Sequence, residues 1–229
     1  MRRVGITSFD GAAVRRPMVP ISMSRRCLVA GLGSSCLTLA SPALAALRCG
    51  PFDAAGIQTC EAGIDSRVHA VQALQLGSQW CWAACISAIF AFHGMRVSQE
   101  RIVDATYGRV VNLPAHGPQI AAVTSRTWQT DDNSTFEAAC EVLWDTQYHV
   151  TRPDASVEAA RELAGDQPLI IGTGGHAMVL TAMTYRRNAY GQGVPVIAVV
   201  RDPWPGRGRR PLSAEEWYGT SFLAKVHVS

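Results

Sequence analysis

The part of this sequence that is expected to fold has no surplus of basic residues. The whole chain of 229 residues carries a net charge of +3. Its first 26 residues contain six arginines and one aspartate, so they contribute +5 and leave −2 for the remainder. A domain with this balance lacks the basic face that binds a phosphate backbone, and we expect no nucleic-acid partner.

The sequence also lacks an apolar run long enough to anchor the chain in a membrane. The run at 28–39 is shorter than the roughly 20 residues that a transmembrane helix needs. It follows the pair Arg25-Arg26, and it precedes the small-residue motif at 43–45, Ala-Leu-Ala. Paired arginines, an apolar run and a small-residue motif in this order are typical of a cleaved export signal.

We therefore predict an export signal over residues 1–45, of the twin-arginine or the general secretory type. Either Met1 or Met23 would serve as its start, because the shorter form is a compact signal by itself. The mature protein would begin near Ala46. It would be periplasmic or secreted, with no stable membrane insertion after cleavage.

Metal-ligand spacing, internal repeats and low-complexity tracts are also missing. Five histidines show no spacing with cysteine or aspartate that is typical of a metal site: His69, His93, His116, His149 and His227. We expect no metal and no cofactor. The mature chain is predicted to comprise an irregular N-terminal arm at 46–74 and a single domain at 75–229.

The cysteine count is odd once the signal is removed. Of seven cysteines, five remain after residue 45: Cys49, Cys60, Cys81, Cys85 and Cys140. Thiols of exported proteins tend to form disulfides. An odd number leaves at least one thiol free or paired between chains.

Hydrophobic periodicity predicts an α+β fold, with helices first and an antiparallel sheet afterwards. Apolar residues recur at spacings of three and four in the first part of the chain, and cap residues mark the helix ends. Short β-rich runs separated by glycine and proline follow. The predicted helices cover 81–92, 98–108, 134–143 and 154–165, with a loop at 114–118; the predicted strands cover 168–172, 176–185, 194–201 and 222–228.

Cys81 lies where a loop containing glycine and serine leads into the first of these helices. A helix N-terminus has unpaired N–H groups and a positive potential, which stabilise a thiolate. The thiolate is the form that attacks a substrate. Position alone fits equally a small buried side chain or a disulfide partner. Trp80 and Trp82 flank the cysteine. Their side chains could form a wall of the substrate groove or pack in the core.

Two further residues complete a possible catalytic set. His176 follows a glycine pair and heads an apolar strand, although a single histidine there is more often a core residue. Asp202 ends the next predicted strand before a Pro-Trp-Pro-Gly turn, where an aspartate commonly bonds its own backbone. Taken together, a thiol at a helix start, an imidazole and a carboxylate make up a Cys-His-Asp triad.

The motifs around these residues resemble the papain-like cysteine peptidases, most closely the bacterial AvrRpt2-type and C39-like group. They are Gln-Trp-Cys-Trp-Ala-Ala-Cys at 79–85, Gly-Gly-His-Ala-Met-Val at 174–179 and Asp-Pro-Trp-Pro-Gly at 202–206. The resemblance implies a papain-like fold with the nucleophile at a helix N-terminus. It also implies an oxyanion-hole glutamine six residues before the cysteine, where Gln75 stands; Gln79 is the alternative.

The expected function is hydrolysis of a peptide or protein substrate through an acyl-enzyme. A cell-wall amidase or an acyl transferase would use the same triad, and a non-catalytic binding module would share the fold. The segment from Arg96 to Asp166 matches no quoted motif, and we expect it to determine substrate specificity.

A free nucleophile leaves four cysteines for two disulfides. Cys49 and Cys60 lie 11 residues apart in the same arm, so a bridge between them closes an easily formed short loop. A second bridge, Cys85–Cys140, would tie the helix that begins at Cys81 to the helix predicted at 134–143. The alternative is that Cys85 and Cys140 are unpaired buried thiols.

Overall fold

The computed structural model describes residues 46–71, 74–151 and 154–229, so the predicted export signal lies outside the described residues. The strands are β1 (Ala46–Phe52), β2 (Ile57–Gly63), β3 (Arg126–Gln129), β4 (Thr135–Asp145), β5 (Val150–Thr151), β6 (Leu169–Thr173), β7 (His176–Asn188), β8 (Gly193–Asp202), β9 (Gly208–Pro211) and β10 (Thr220–Val228). The helices are α1 (Cys81–Phe92), α2 (Gln99–Tyr107), α3 (Gly117–Thr124), α4 (Ala155–Ala164) and α5 (Ala214–Tyr218), with a 3-10 turn at Ser66–Ala70.

The described strands form one antiparallel sheet, and the chain is therefore α+β as predicted. The predicted order of helices first and strands afterwards is wrong, because β1 and β2 precede α1, and β3, β4 and β5 precede α4. The main path runs β1-β2-β7-β6-β10-β4-β3, while β8 pairs with β7 and β9. The first half of β7 pairs with β6 and its second half with β2, and its other edge pairs with β8. His176 begins β7, and this strand is therefore paired with other strands on both edges along nearly its whole length.

Hydrophobic side chains cover both faces of the sheet. Alternate residues of β6 belong to different core clusters: Ile170 to the cluster that contains α1, α2 and α3, and Leu169 and Ile171 to the cluster that contains α4. Such alternation follows from the two-residue period of a strand. The sheet is thus a central layer between two sets of helices.

Three helices begin and end close to where the sequence predicts them. Nine of the twelve residues of α1 are buried, which is typical of a helix that is apolar on all sides. The N-cap Ser98 of α2 accepts a hydrogen bond from the Arg101 N–H, and Gly108 ends that helix in the left-handed conformation, with φ 69°. The helix predicted after Asp154 is α4.

The helix predicted at 134–143 is wrong, because this segment is strand β4. Ser134 and Glu137 have the spacing of a capping box, and for this reason the sequence predicts a helix here. Burial instead alternates with a period of two: Phe136 and Ala138 are buried, while Glu137 is exposed. Pairing with β3 on one edge and β10 on the other overrides the local helix preference. Similarly, the loop predicted at 114–118 ends early, because α3 begins at Gly117.

The prediction of an irregular N-terminal arm is wrong for residues 46–63, which form the hairpin of β1 and β2. Cys49 and Cys60 are opposite each other in its register, and they form the predicted disulfide. The second strand continues the main sheet, since Cys60 pairs with Tyr185 of β7. The disulfide therefore closes a hairpin that belongs to the sheet.

The predicted Cys85–Cys140 bridge is absent, and both residues are free thiols. Cys85 is fully buried among the side chains of α1 and its neighbours. Cys140 belongs to β4 rather than to a helix, so the helix-to-helix tie on which that pairing depended does not exist.

Thiol titration will distinguish this arrangement from the two-bridge alternative. Denatured, unreduced protein beginning at Ala46 should give three thiols per chain. In the native protein one thiol, Cys81, should react first, because burial raises the pKa of Cys85 well above the ordinary value and that of Cys140 to about 11. A count of one thiol after denaturation would show that Cys85 and Cys140 are bridged.

Within the described part of the chain, no helix is long and apolar enough to cross a membrane.

Candidate active site

Cys81 is the first residue of α1, and two tryptophans fix the loop that leads to it. The Trp80 Nε1–H donates to the Val111 carbonyl at 2.8 Å, and the Trp82 Nε1–H donates to the Leu113 carbonyl at 3.1 Å. Both indole side chains are buried. They therefore pack in the core, while Trp82 also contributes to the wall of the cavity that contains Cys81.

The approach to the cysteine is further held by close packing at Gly77. A β-carbon there would lie 2.8 Å from the Trp80 ring, closer than such atoms approach in proteins. Asn112 accepts the Gln79 backbone N–H through Oδ1 and donates to Ser78 Oγ through Nδ2. The segment around Asn112 thus fixes the loop in front of α1.

His176 is placed by a tight hairpin between β6 and β7. Thr173 pairs with His176, and the two residues between them, Gly174 and Gly175, have φ values of 56° and 77°. A two-residue hairpin of this type needs left-handed conformations that glycine adopts without strain. This is the physical reason for the glycine pair before His176.

The hairpin brings His176 next to Cys81. The Ala177 N–H donates to Cys81 Sγ at 3.5 Å, and the Cys81 thiol and the His176 ring are close enough for each to shift the pKa of the other. His176 Nε2 lies 2.7 Å from Asp202 Oδ1, so Nδ1 is the ring nitrogen that faces the thiol. The three residues predicted to act together therefore lie in one row.

The charges of the three residues favour an ion pair. Burial alone would raise the pKa of Cys81, but the hydrogen bonds from His176 and Ala177 outweigh it and lower that pKa. Burial likewise opposes charge on His176, yet the bonds to Asp202 and Cys81 raise its pKa to about 9. Both shifts stabilise a thiolate beside an imidazolium.

Asp202 is buried at the end of β8 and is bonded on both oxygens. The Trp204 N–H donates to Oδ1 at 2.9 Å, as expected for a turn aspartate, in addition to the contact with His176. Arg210 of β9 donates to Oδ2 through Nε at 3.0 Å. Burial would raise the pKa of Asp202, but these bonds hold it at about 2.

Sequence reasoning missed Arg210 and its partner Glu216. The Arg210 guanidinium forms two bonds to the Glu216 carboxylate, at 2.7 Å and 2.9 Å, as well as those to Asp202. Nothing in the local sequence singles out Arg210 among its arginine neighbours. Its contact with Asp202 depends on the pairing of β8 with β9, which only the fold reveals.

Gln75, the predicted oxyanion donor, lies near the row but does not line its cavity. Its side chain is buried, and Nε2 donates to the carbonyls of Gly77 and Ser78 at 2.9 Å and 3.2 Å. Its backbone N–H donates to the Pro203 carbonyl, beside Asp202. Gln79, the alternative, is exposed.

A cavity of about 190 Å³ opens beside Cys81 and His176. Its other lining residues are Trp82, Pro114, Ala115, His116, Gly117, Ile120, Asp145, Gln147, Gly172, Thr173, Gly175, Ala177, Ser221 and Phe222. Part of this wall comes from the segment 96–166. Asp145 belongs to this segment. The sequence does not predict its place in the cavity wall, because the segment contains no recognisable motif.

The role assigned to Asp202 predicts a change in the titration of His176. In Asp202→Asn the imidazolium loses its carboxylate partner, so the pKa of His176 should fall from about 9 towards the ordinary value for histidine. The imidazolium exists below that pKa, so the ion pair should disappear at a lower pH than in the wild type. The titration is measured by NMR of the His176 ring.

Asp104→Asn, on the exposed surface of α2, is the control for this experiment and should not change the titration. An identical midpoint for His176 in the wild type and in Asp202→Asn would contradict the assigned contact.

Among solved structures, the chain is similar to a double glycine motif protease from an AMS/PCAT transporter in complex with the leader peptide. The identity is 14% and the TM-score 0.39, and the similarity covers 68% of this chain and 87% of that protein. No protein-family model and no curated protein matches the chain. A likeness of this size carries no argument about activity, so the function is inferred from the geometry of the site.

Proposed function

We propose that this protein is an exported papain-like cysteine peptidase, with Cys81 as nucleophile, His176 as base and Asp202 as the group that orients the histidine. The observation that carries the proposal is the row in which His176 lies beside the Cys81 thiol, in the same cavity, and His176 Nε2 lies 2.7 Å from Asp202 Oδ1. A thiolate next to an imidazolium that a carboxylate holds in place is what thiol acyl transfer requires.

In the proposed reaction, the Cys81 thiolate attacks the carbonyl carbon of the substrate and forms a C–S bond. The imidazolium of His176 gives its proton to the leaving amine as the C–N bond breaks, which leaves an acyl-enzyme. Neutral His176 then takes a proton from water, and the water oxygen attacks the acyl carbon. The new C–O bond replaces the C–S bond, which releases the acid and restores the thiolate of Cys81 beside the imidazolium of His176. Asp202 keeps Nδ1 of the ring directed at the sulfur throughout.

The oxyanion would be stabilised at the start of α1. Backbone N–H groups in the first turn of a helix have no partner within that helix, so the Cys81 N–H is available to a developing negative charge. Gln75 is proposed as the second donor. It would serve after its amide exchanges one of its present bonds, to the Gly77 or the Ser78 carbonyl, for one to the oxyanion.

The proposal of export depends on the sequence at 1–45 and is supported by one covalent feature. Disulfides persist in oxidising compartments, and the Cys49–Cys60 bridge fits a periplasmic or secreted protein. The free thiol that the proposed reaction needs is retained at Cys81.

The proposal is tested with an electrophilic probe for activated thiols, followed by a peptide library. Wild-type protein should be labelled once per chain at Cys81, and it should cleave a subset of the peptides. Labelling without peptide cleavage, but with release of ammonia or an amine from cell-wall fragments, would replace the peptidase with an amidase. The absence of both labelling and cleavage would leave a binding module.

A further inference from the structure

Asp145 is a buried carboxylate in the wall of the same cavity as Cys81 and His176. It is the last residue of β4, and only 5% of its surface is exposed. Burial of a charge is costly unless a partner of opposite charge or hydrogen bonds compensate it. Its partners therefore indicate what the cavity is built to hold.

The two oxygens of Asp145 have different surroundings. Oδ1 accepts the backbone N–H groups of Gln147 and Tyr148, at 2.9 Å and 3.2 Å. Oδ2 faces Gly117, where a side chain would collide with it. Within residues 46–71, 74–151 and 154–229, Oδ2 has neither a hydrogen bond nor an ion-pair partner.

The two histidines that line the cavity do not form an ion pair with Asp145. His116 also lines the wall but forms no ion pair with it among the described residues. The imidazolium of His176 is already bonded to Asp202 and Cys81. The helix α3 begins at Gly117, so its positive end is nearby and makes the site tolerant of a negative charge without supplying a counter-ion.

The size and the remaining walls of the cavity suit a long side chain with a charged end. A volume of about 190 Å³ is below the roughly 300 to 1,000 Å³ of sites for whole small ligands. Ile120, Phe222 and Trp82 provide apolar walls, against which the methylene stem of a lysine or arginine would pack. Asp145 then provides the acceptor for the charged end.

We propose that Asp145 selects peptide substrates with a lysine or arginine side chain close to the scissile bond. The inference rests on the proposed function, and it names the substrate class for that same site. The missing partner of the Asp145 carboxylate is the cation of the substrate.

The experiment compares pairs of peptides that differ only in arginine or its neutral analogue citrulline, placed in turn at each position around the cleaved bond. In the wild type, arginine at one position should raise kcat/KM by about ten- to a hundredfold, the scale of one hydrogen bond to a charged group. In Asp145→Asn this preference should disappear. Asparagine keeps the Oδ1 acceptor for Gln147 and Tyr148, so the turn is preserved.

Asp104→Asn, on exposed α2, is the matched control and should keep the wild-type preference. A second variant, Gln147→Lys, places a competing cation at the exposed neighbour of Asp145 and should lower the preference without altering the carboxylate. It provides a test even if Asp145→Asn folds poorly.

The outcomes separate this inference from the proposed function. Wild-type protein that labels at Cys81 and cleaves peptides without preferring arginine overturns the inference and leaves the peptidase standing. A preference that survives in both Asp145→Asn and Gln147→Lys also overturns it. Wild-type protein that neither labels nor cleaves overturns the proposed function, and the inference with it.

Discussion

Cys81→Ala should abolish peptide hydrolysis, with kcat lowered on the order of 10⁶-fold, the scale seen when a catalytic nucleophile is removed. The loss follows because Cys81 is the only thiol among the described residues that line this cavity. Cys85 is the next thiol along the helix, but it is fully buried, and burial raises its pKa well above the ordinary value. Turnover is measured with the best peptide from the library.

The fold should survive this change. The Cys81 sulfur interacts with His176 and the Ala177 N–H, whereas the packing of α1 comes from nine other buried residues. Far-UV circular dichroism and the denaturation midpoint check this. Cys140→Ala is the matched control, since it removes a partly buried thiol from β4 and should leave turnover at the wild-type level. Near-normal hydrolysis by Cys81→Ala would contradict the mechanism.

His176→Ala should be about as damaging as loss of the nucleophile, because catalytic residues that act as a unit do not contribute additively. Without the imidazole, the pKa of Cys81 loses its principal lowering contact, and burial would then raise it. The leaving amine also loses its proton donor. Both effects are measured together as kcat/KM and separately as the rate of thiol labelling against pH.

His227→Ala, on the exposed side of β10, is the control for His176→Ala and should leave both rates unchanged. Asp202→Asn should be milder, since the amide oxygen can still accept from the ring, while Arg210 keeps its bonds to Glu216. If Asp202→Asn were more damaging than His176→Ala, the roles assigned to the two residues would be wrong.

The candidate site was predictable to the extent that each residue has a strong local signal. Cys81 begins a helix whose apolar periodicity is clear, and His176 follows a glycine pair that only a tight turn explains. Asp202 precedes a proline-rich turn. Their proximity, in contrast, required the order of motifs to be compared with a known family, because no local property of the chain brings residues 81, 176 and 202 together.

What could not be predicted depends on contacts between distant parts of the chain. β4 contains good helix formers and a helix-cap spacing, and it becomes a strand only because β3 and β10 pair with it. Residues 46–63 of the arm form a hairpin because β2 pairs with an edge of β7. Arg210 and Asp145 belong to the same category, since their neighbours become visible only in the folded sheet.

The position of β7 has a consequence for how the proposed peptidase would lose activity. His176 begins the strand that is paired with β6, β2 and β8, and α1, which Cys81 begins, packs against that strand. The hydrogen-bonded interior of such a central strand opens to solvent only with the whole domain, so the amide hydrogens within β7 should exchange as slowly as any in the described part of the chain. Heat inactivation should therefore coincide with global unfolding and not precede it, in contrast to enzymes whose catalytic groups lie on mobile loops.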